Sequence, residues 1–493
     1  MLYIRMAVMA VITLYTSRVV LDILGVDDYG IYSIVGSVVV SMGFISNTLA
    51  SSMQRFFSYE LGLGNDGSPQ KIYSMGVNII LIFIVVVVIL LETIGLWFLN
   101  NVLAIPDERL HAANIAYQFS IITFCVSLLR IPYHAMIISY EKMSAYALLS
   151  ISDAGLKLLL VFLLQRFQDK LISYAILVCV IAILINSCYH LVCKRFFANT
   201  CKYKFEKDKT LFKKMFSFSG WTLLGGVTGM AAHEGPNYLM NIFLGVRINA
   251  AMGIAKQVSA AVNNFTANFQ TAFNPQIVKT YAGKETGDMM RLVYNSSLLS
   301  FYLMIVIAIP MIFFADSVFS IWLVDVPEYA VQFSIILMIN QMVAAIGSPL
   351  WMLAHATGDI KYYQIWISVI NLLIIPAVWF VLKIGLTANW VLYVMVLSSV
   401  VVLIYRVFFL RKKIGFNVKA YFEKVILKGV VISLLCTLFP YLLSLLNVSV
   451  FFDLGLLVLS IVYCCLIVLF IGINKTERQV VFDKVREILK FKH

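Results

Sequence analysis

The chain has 493 residues, of which 61% are apolar and 13% charged, with a mean hydropathy of +0.91 and a formal net charge of +13. A soluble chain of this length needs about a quarter charged residues to cover its domains, so soluble, disordered, fibrous and disulfide-scaffold classes are excluded. The excess of base could serve nucleic acid, and the placement of the 38 Lys and Arg decides that question.

Taken in chain order, apolar runs long enough to cross a hydrocarbon core of ~30 Å as helices predict fourteen spans. They cover residues 4–24, 30–52, 75–98, 113–132, 145–165, 171–193, 217–243, 250–274, 292–314, 330–352, 362–382, 390–410, 428–447 and 454–473. With the N-terminus in the cytoplasm, the inside segments collect 30 basic residues and the outside loops five (Arg109, Arg166, Lys170, Arg247 and Lys383). Three more, Arg18, Lys157 and Lys256, fall within spans. This is the asymmetry of the positive-inside rule. One span more or fewer would destroy it, so both termini are expected to be cytoplasmic. The basic charge then orients the protein against anionic lipid, and no nucleic-acid partner is expected.

Span 1 carries Arg18 and Asp22 and has no small-residue cleavage site, so it reads as a retained span and not a signal peptide. The eight cysteines lie in spans or cytoplasmic segments without a Cys-x-x-Cys or Cys/His cluster, so neither disulfides, a metal site nor a cofactor is expected. The tail 476–491 starts with a capping-box pattern and places Val481, Val485, Ile488 and Leu489 on one face, as an interfacial helix would.

A weak internal match recurs at an offset near 220. Leu24-Gly25-Val26 meets Leu244-Gly245-Val246, and Pro132 meets Pro349. The expected fold is therefore an all-α polytopic membrane protein of about fourteen helices. Two six-helix lobes form a parallel pseudo-repeat, with two extra helices. The corresponding boundaries are 1–193 for the N-lobe, 194–216 for a basic linker, 217–410 for the C-lobe, 411–473 for spans 13–14 and 474–493 for the tail. Paired lobes around a cavity are the architecture of alternating-access transporters.

Charged groups within a span cost roughly 2.5–3.5 kcal/mol each on insertion scales, so each should face a cavity or a partner. Arg18 and Asp22 are spaced i,i+4 in span 1, as are Asp153 and Lys157 in span 5; the second pair could equally neutralise itself along its own helix. His233 and Glu234 stand beside Gly235-Pro236, a helix-disturbing pair that would make a hinge in span 7. Lys256, Asn263, Gln270 and Asn274 follow one line of span 8, with Gln257, Asn264 and Asn268 on the adjacent line. Some of these amides could hold helices together; the stripe also suits a hydrated cavity for a hydroxyl-rich, anionic molecule. Among catalytic and nucleotide-binding motifs, no Walker sequence, nucleophile elbow or paired-carboxylate motif occurs, so a non-enzyme is expected.

Residues Leu14 to Tyr32 (LYTSRVVLDILGVDDYGIY), together with Gln54 to Gly62 (QRFFSYELG), resemble the polysaccharide-transporter branch of the multidrug/oligosaccharidyl-lipid/polysaccharide exporter superfamily. The likeness is greatest to bacterial O-antigen and capsule repeat-unit flippases, and only these two stretches are specific. The resemblance implies export of an undecaprenyl-pyrophosphate-linked oligosaccharide across the bacterial inner membrane by alternating access, with a polysaccharide polymerase and a chain-length regulator as partners. It places Arg18 and Lys256 where related flippases handle pyrophosphate, although span 8 has Lys where Arg is usual. Lys157 would join them, while Asn263, Asn264, Asn268 and Gln270 meet sugar. Glu234, Asp153 and His233 are the candidates for a coupling ion. Such chains would be expected to carry a few more residues ahead of span 1. A multidrug cation antiporter of the same superfamily is the rival reading; a membrane glycosyltransferase or polymerase is a weaker one, because the outside loops are short.

Overall fold

The computed structural model describes residues 42–101, 106–323, 326–446 and 450–473, single positions between Arg5 and Leu24, and Arg478 and Gln479. Arg18, Asp22, most of the two first spans and nearly all of the expected tail helix lie outside the described residues. Every regular element among the described residues is a helix.

Among the described residues from 42 on, fourteen helices follow one another: α1 Gly43–Gly62, α2 Pro69–Asn101, α3 Asp107–Ser139, α4 Met143–Leu164, α5 Lys170–Phe196, α6 Lys209–Leu244, α7 Val246–Ala282, α8 Thr286–Phe313, α9 Ala315–Trp322, α10 Ala330–Ala356, α11 Lys361–Lys383, α12 Ala388–Ile414, α13 Val418–Ser444 and α14 Val450–Ile467. Local chemistry sets their ends. The Asp169 carboxylate accepts from the Ile172 amide at the start of α5, and Gly415 at φ 68° closes α12 in the left-handed conformation that favours glycine. Ten helices among the described residues are long and apolar enough to cross a membrane. The helices α6 and α7 are longer still, at 36 and 37 residues, yet are too polar to be counted with them. Exposed Val85, Ile89, Ile94 and Trp97 on α2 and Leu434, Leu438 and Tyr441 on α13 form the apolar outer faces that lipid requires.

The chain divides into two compact units: residues 1–227 with 274–285 and 356–364, and residues 228–273 with 286–355 and 365–493. In the first, α3 is the central helix, packed against α1, α2 and α5. Its Ala113, Ala116 and Ala135 have no exposed surface, and such small side chains let helix backbones approach closely. At a widened turn, Leu91–Gly95 in α2, the Leu91 carbonyl accepts from the Leu96 amide and also from the Tyr117 hydroxyl at 2.8 Å. Gly95 is required there, because a Cβ would lie 2.1 Å from that hydroxyl oxygen.

In the second unit one core gathers Met240 of α6, Ala251, Met252 and Ala255 of α7, Phe333 of α10, Val378 of α11 and Val391 of α12. The helices α13 and α14 pack together and against α8.

Candidate functional site

The membrane-embedded charges expected from the sequence are found in local pairs. On α4, Lys157 donates to Asp153 at 3.0 Å, the self-neutralising i,i+4 arrangement. In the second unit, Lys256 of α7 donates to Glu234 of α6 at 2.7 Å and reaches the His233 carbonyl oxygen at 3.4 Å. The His233 ring nitrogen Nδ1 lies 3.0 Å from the other Glu234 oxygen, so both carboxylate oxygens are engaged. The helix runs unbroken through Gly235 and Pro236. Arg18 lies outside the described residues.

The amide stripe of α7 is divided in its surroundings. Asn264 is exposed and Asn263 half-buried. Asn268 is buried and donates to the Asn264 carbonyl of its own helix at 2.7 Å. Gln270 accepts from Ser348 of α10 at 2.8 Å, which holds two helices of the same unit together.

Each unit also encloses a polar pocket that sequence reasoning did not single out. In the first unit a cavity of about 270 Å³ is lined by Arg5, Asn47, Arg130, His134, Tyr146 and Asp153, among others. Arg5 donates to the Tyr146 hydroxyl at 3.1 Å and to Ser150 at 3.4 Å, with its guanidinium 4.6 Å from the Tyr146 ring centre. Arg130, from the interior of α3, stacks 5.5 Å from the Tyr189 ring and makes no hydrogen bond among the described residues. One carboxylate, Asp153, therefore faces two guanidinium groups and is already bonded to Lys157. The pocket has an excess of positive charge.

The second unit has a cavity of about 220 Å³ lined by His233, Asn340, Asn371, Ser398, Ser399 and Arg406, among others, with no carboxylate in its lining. Arg406 donates to the Gly347 carbonyl at 3.0 Å. Three lining positions of the two pockets share one sequence offset: 127 and 344, 130 and 347, and 189 and 406 are each 217 residues apart, the offset between Pro132 and Pro349. In the first pocket the arginine comes from α3 and meets a tyrosine of α5. In the second it comes from α12, at the position equivalent to that tyrosine, and reaches back to α10. Arg5, Arg130 and Arg406 had been sorted with the basic loops by position alone. For Arg130 and Arg406 the signal was distance inside the helix end, nine residues before Ser139 and eight before Ile414.

The described residues form a polytopic, all-helical fold with polar pockets inside its units. No family model and no curated protein matches the sequence. Among solved structures, the chain is similar to a mutant of a MATE transporter, with a TM-score of 0.72 and 12% identity over 84% of this chain and 93% of that one. It is also similar to a MOP-superfamily transporter from Pyrococcus furiosus, described as having a binding pocket of reversed polarity that suggests a different function; there the TM-score is 0.70, with 12% identity over 85% and 94% of the two chains. A MATE-family multidrug resistance transporter in an outward-facing conformation aligns with a TM-score of 0.69 and 12% identity, covering 84% of this chain and 93% of that one. The fold is that of MATE-like transporters of the MOP superfamily.

Proposed function

We propose that the protein is a flippase that moves an undecaprenyl-pyrophosphate-linked oligosaccharide across the bacterial inner membrane for surface polysaccharide synthesis. The observation that carries this reading is the sign of the interior charge. Arg5, Arg130 and Lys157 surround a single carboxylate in one unit, and the pocket of the other holds Arg406 and no acid. A cation antiporter needs the opposite, carboxylates left without internal cations, whereas a pyrophosphate head takes charge-assisted hydrogen bonds from guanidinium groups. The likeness to the repeat-unit flippases over Leu14–Tyr32 and Gln54–Gly62 supports the same cargo.

In this mechanism Arg18, Lys256 and Lys157 neutralise the phosphates, with Arg5 and Arg130 added to that set. Asn263, Asn264, Asn268 and Gln270 meet sugar hydroxyls while the polyprenyl tail stays in lipid. The Gly235-Pro236 step of α6 serves as the flexing point. Glu234, His233 and Asp153 are the candidates for a coupling proton or sodium. The glycan passes to a polysaccharide polymerase and its chain-length regulator on the far side. The test is a deletion strain: lipid-linked repeat units should accumulate on the cytoplasmic leaflet, and surface glycan should return with the wild-type gene. Normal surface glycan in the deletion strain, together with new sensitivity to cationic dyes, would favour the multidrug antiporter instead.

A further inference from the structure

We propose that the first unit carries a binding site for the headgroup of an acidic phospholipid, in the cavity between the start of α6 and the start of α11. The cavity has a volume of about 680 Å³. Lys209, Lys213 and Lys214 of α6 and Lys361 of α11 line it, against one carboxylate, Asp359. All four lysines are exposed, and none has an ion-pair partner among the described residues. The site does not depend on the free amides of a helix end. The first amides of α6, those of Thr210 and Leu211, are already satisfied by the Asp208 carboxylate at 2.9 and 3.0 Å. What remains is a concave surface with a net excess of three ammonium groups, which calls for a multiply hydrogen-bonding anion of the phosphate class.

The aromatic side chains at this place point to a lipid as the bearer of that phosphate. The Lys361 ammonium lies 5.7 Å from the ring centre of Trp221, itself part of the cavity wall, and 5.7 Å from that of Tyr362. Tyr362 and Trp366, one turn apart on α11, are both exposed large rings at the start of a helix apolar enough to span the membrane. Tyrosine and tryptophan with lysine between them mark the headgroup level of a bilayer. The acyl chains of a lipid bound here would run along the exposed Tyr362–Trp366 face while its phosphate enters the lysine cavity. Phe218 and Gly358 of the cavity wall also touch Arg55, whose guanidinium donates to the Ala356 carbonyl at 2.8 Å. A headgroup held here therefore rests against the turn that joins α10 to α11.

The site is independent of the cargo. It can be tested on the detergent-purified full chain by native mass spectrometry and thermal unfolding, with phosphatidylglycerol, phosphatidylcholine and inorganic pyrophosphate as probes. The wild type should retain phosphatidylglycerol in preference to phosphatidylcholine and be stabilised by it. Lys213→Gln/Lys361→Gln should weaken that binding about tenfold or more, since each lysine at an anionic surface contributes measurably. Lys412→Gln/Lys419→Gln, which removes two basic groups outside the cavity, should bind as the wild type does. The four cavity lysines are exposed, so the double variant should keep the unfolding midpoint of the lipid-free wild type. Undiminished phosphatidylglycerol binding by the Lys213/Lys361 variant would overturn the proposal, and so would equal retention of the two lipids. Stabilisation by pyrophosphate as large as that by the lipid, with displacement of the lipid, would overturn the assignment to a membrane lipid.

Discussion

Arg130 is the side chain whose environment most directly argues for an anion. A guanidinium in the interior of a helix, stacked on Tyr189 without a hydrogen bond among the described residues, has donors to offer. If the protein is the flippase proposed above, replacing it with Gln should lower glycan export by about tenfold or more at normal expression, the scale of one charge-assisted hydrogen bond. Arg130→Lys should recover only part, because an ammonium cannot reproduce the planar fork. Wild-type export by Arg130→Gln would remove this residue from the site. The Lys256–Glu234 pair predicts a different signature. Both groups are partly exposed, at 20% and 36% of their side-chain surface, so the attraction amounts to about 1 kcal/mol after screening. In a double-mutant cycle on thermal unfolding, the losses from Lys256→Ala and Glu234→Ala should therefore sum to about 1 kcal/mol more than the loss of the double variant. Strict additivity would show that the contact carries no energy. Residue chemistry was half legible in the sequence. Asp153, His233 and Lys256 were visible because charge in an apolar run is anomalous. That Lys256 meets Glu234 depends on how α6 and α7 pack, which spacing along one helix cannot show.

At the scale of the helices, several contacts are limited by backbone approach. The C-terminus of α1 lies so close to α7 that a Cβ on Gly62 would be 2.4 Å from the Lys279 carbonyl oxygen. On the same stretch of α7, Lys279 and Gln276 both donate to Glu141, which sits in the α3–α4 turn at φ 59°. Gly62→Ala must push these elements apart and should cost about 1–3 kcal/mol, the usual range for overpacking. It would be read as a lowered unfolding midpoint of the purified protein. An unchanged midpoint would mean that the helix ends separate at no cost. Helix positions followed well from the apolar runs, because backbone hydrogen bonds in lipid must be made within each segment. Their lengths followed less well: α6 starts at Lys209 and not at 217, and α7 extends to Ala282. Helix continues past the apolar stretch wherever neighbouring protein shelters it, and hydropathy is blind to that shelter.

For the whole molecule, the loop charges predict which side each loop faces: with Arg5, Arg130 and Arg406 set apart in the pockets, 27 of the 30 basic residues remain on the expected inside against five on the outside. A cysteine introduced at Gln168 should react with a membrane-impermeant thiol reagent in intact spheroplasts, and one at Lys202 only after lysis. The reverse pattern would invert the topology. Pro132 and Pro349 both lie inside helices, α3 and α10, and a proline inside a helix leaves a fixed mark on the sequence. The two pockets were not legible, because their linings share no residue pattern at the 217 offset: position 130 is Arg and position 347 is Gly.

The polarity of α6 and α7 also bears on how the chain is made. Both are more polar than the ten helices that are apolar enough to span. They are consecutive and joined at Gly245, whose φ of 85° turns the chain sharply, and the Lys256–Glu234 contact lies between them. A helical hairpin that carries Lys256 and Glu234 already matched brings one paired charge into the apolar core in place of two separate ones. Pairing of the two segments during synthesis is then expected to ease delivery of the second half of the protein. Glu234→Gln would leave Lys256 unmatched at that moment, and the defect would be seen first as reduced membrane insertion during biogenesis, before any turnover is measured.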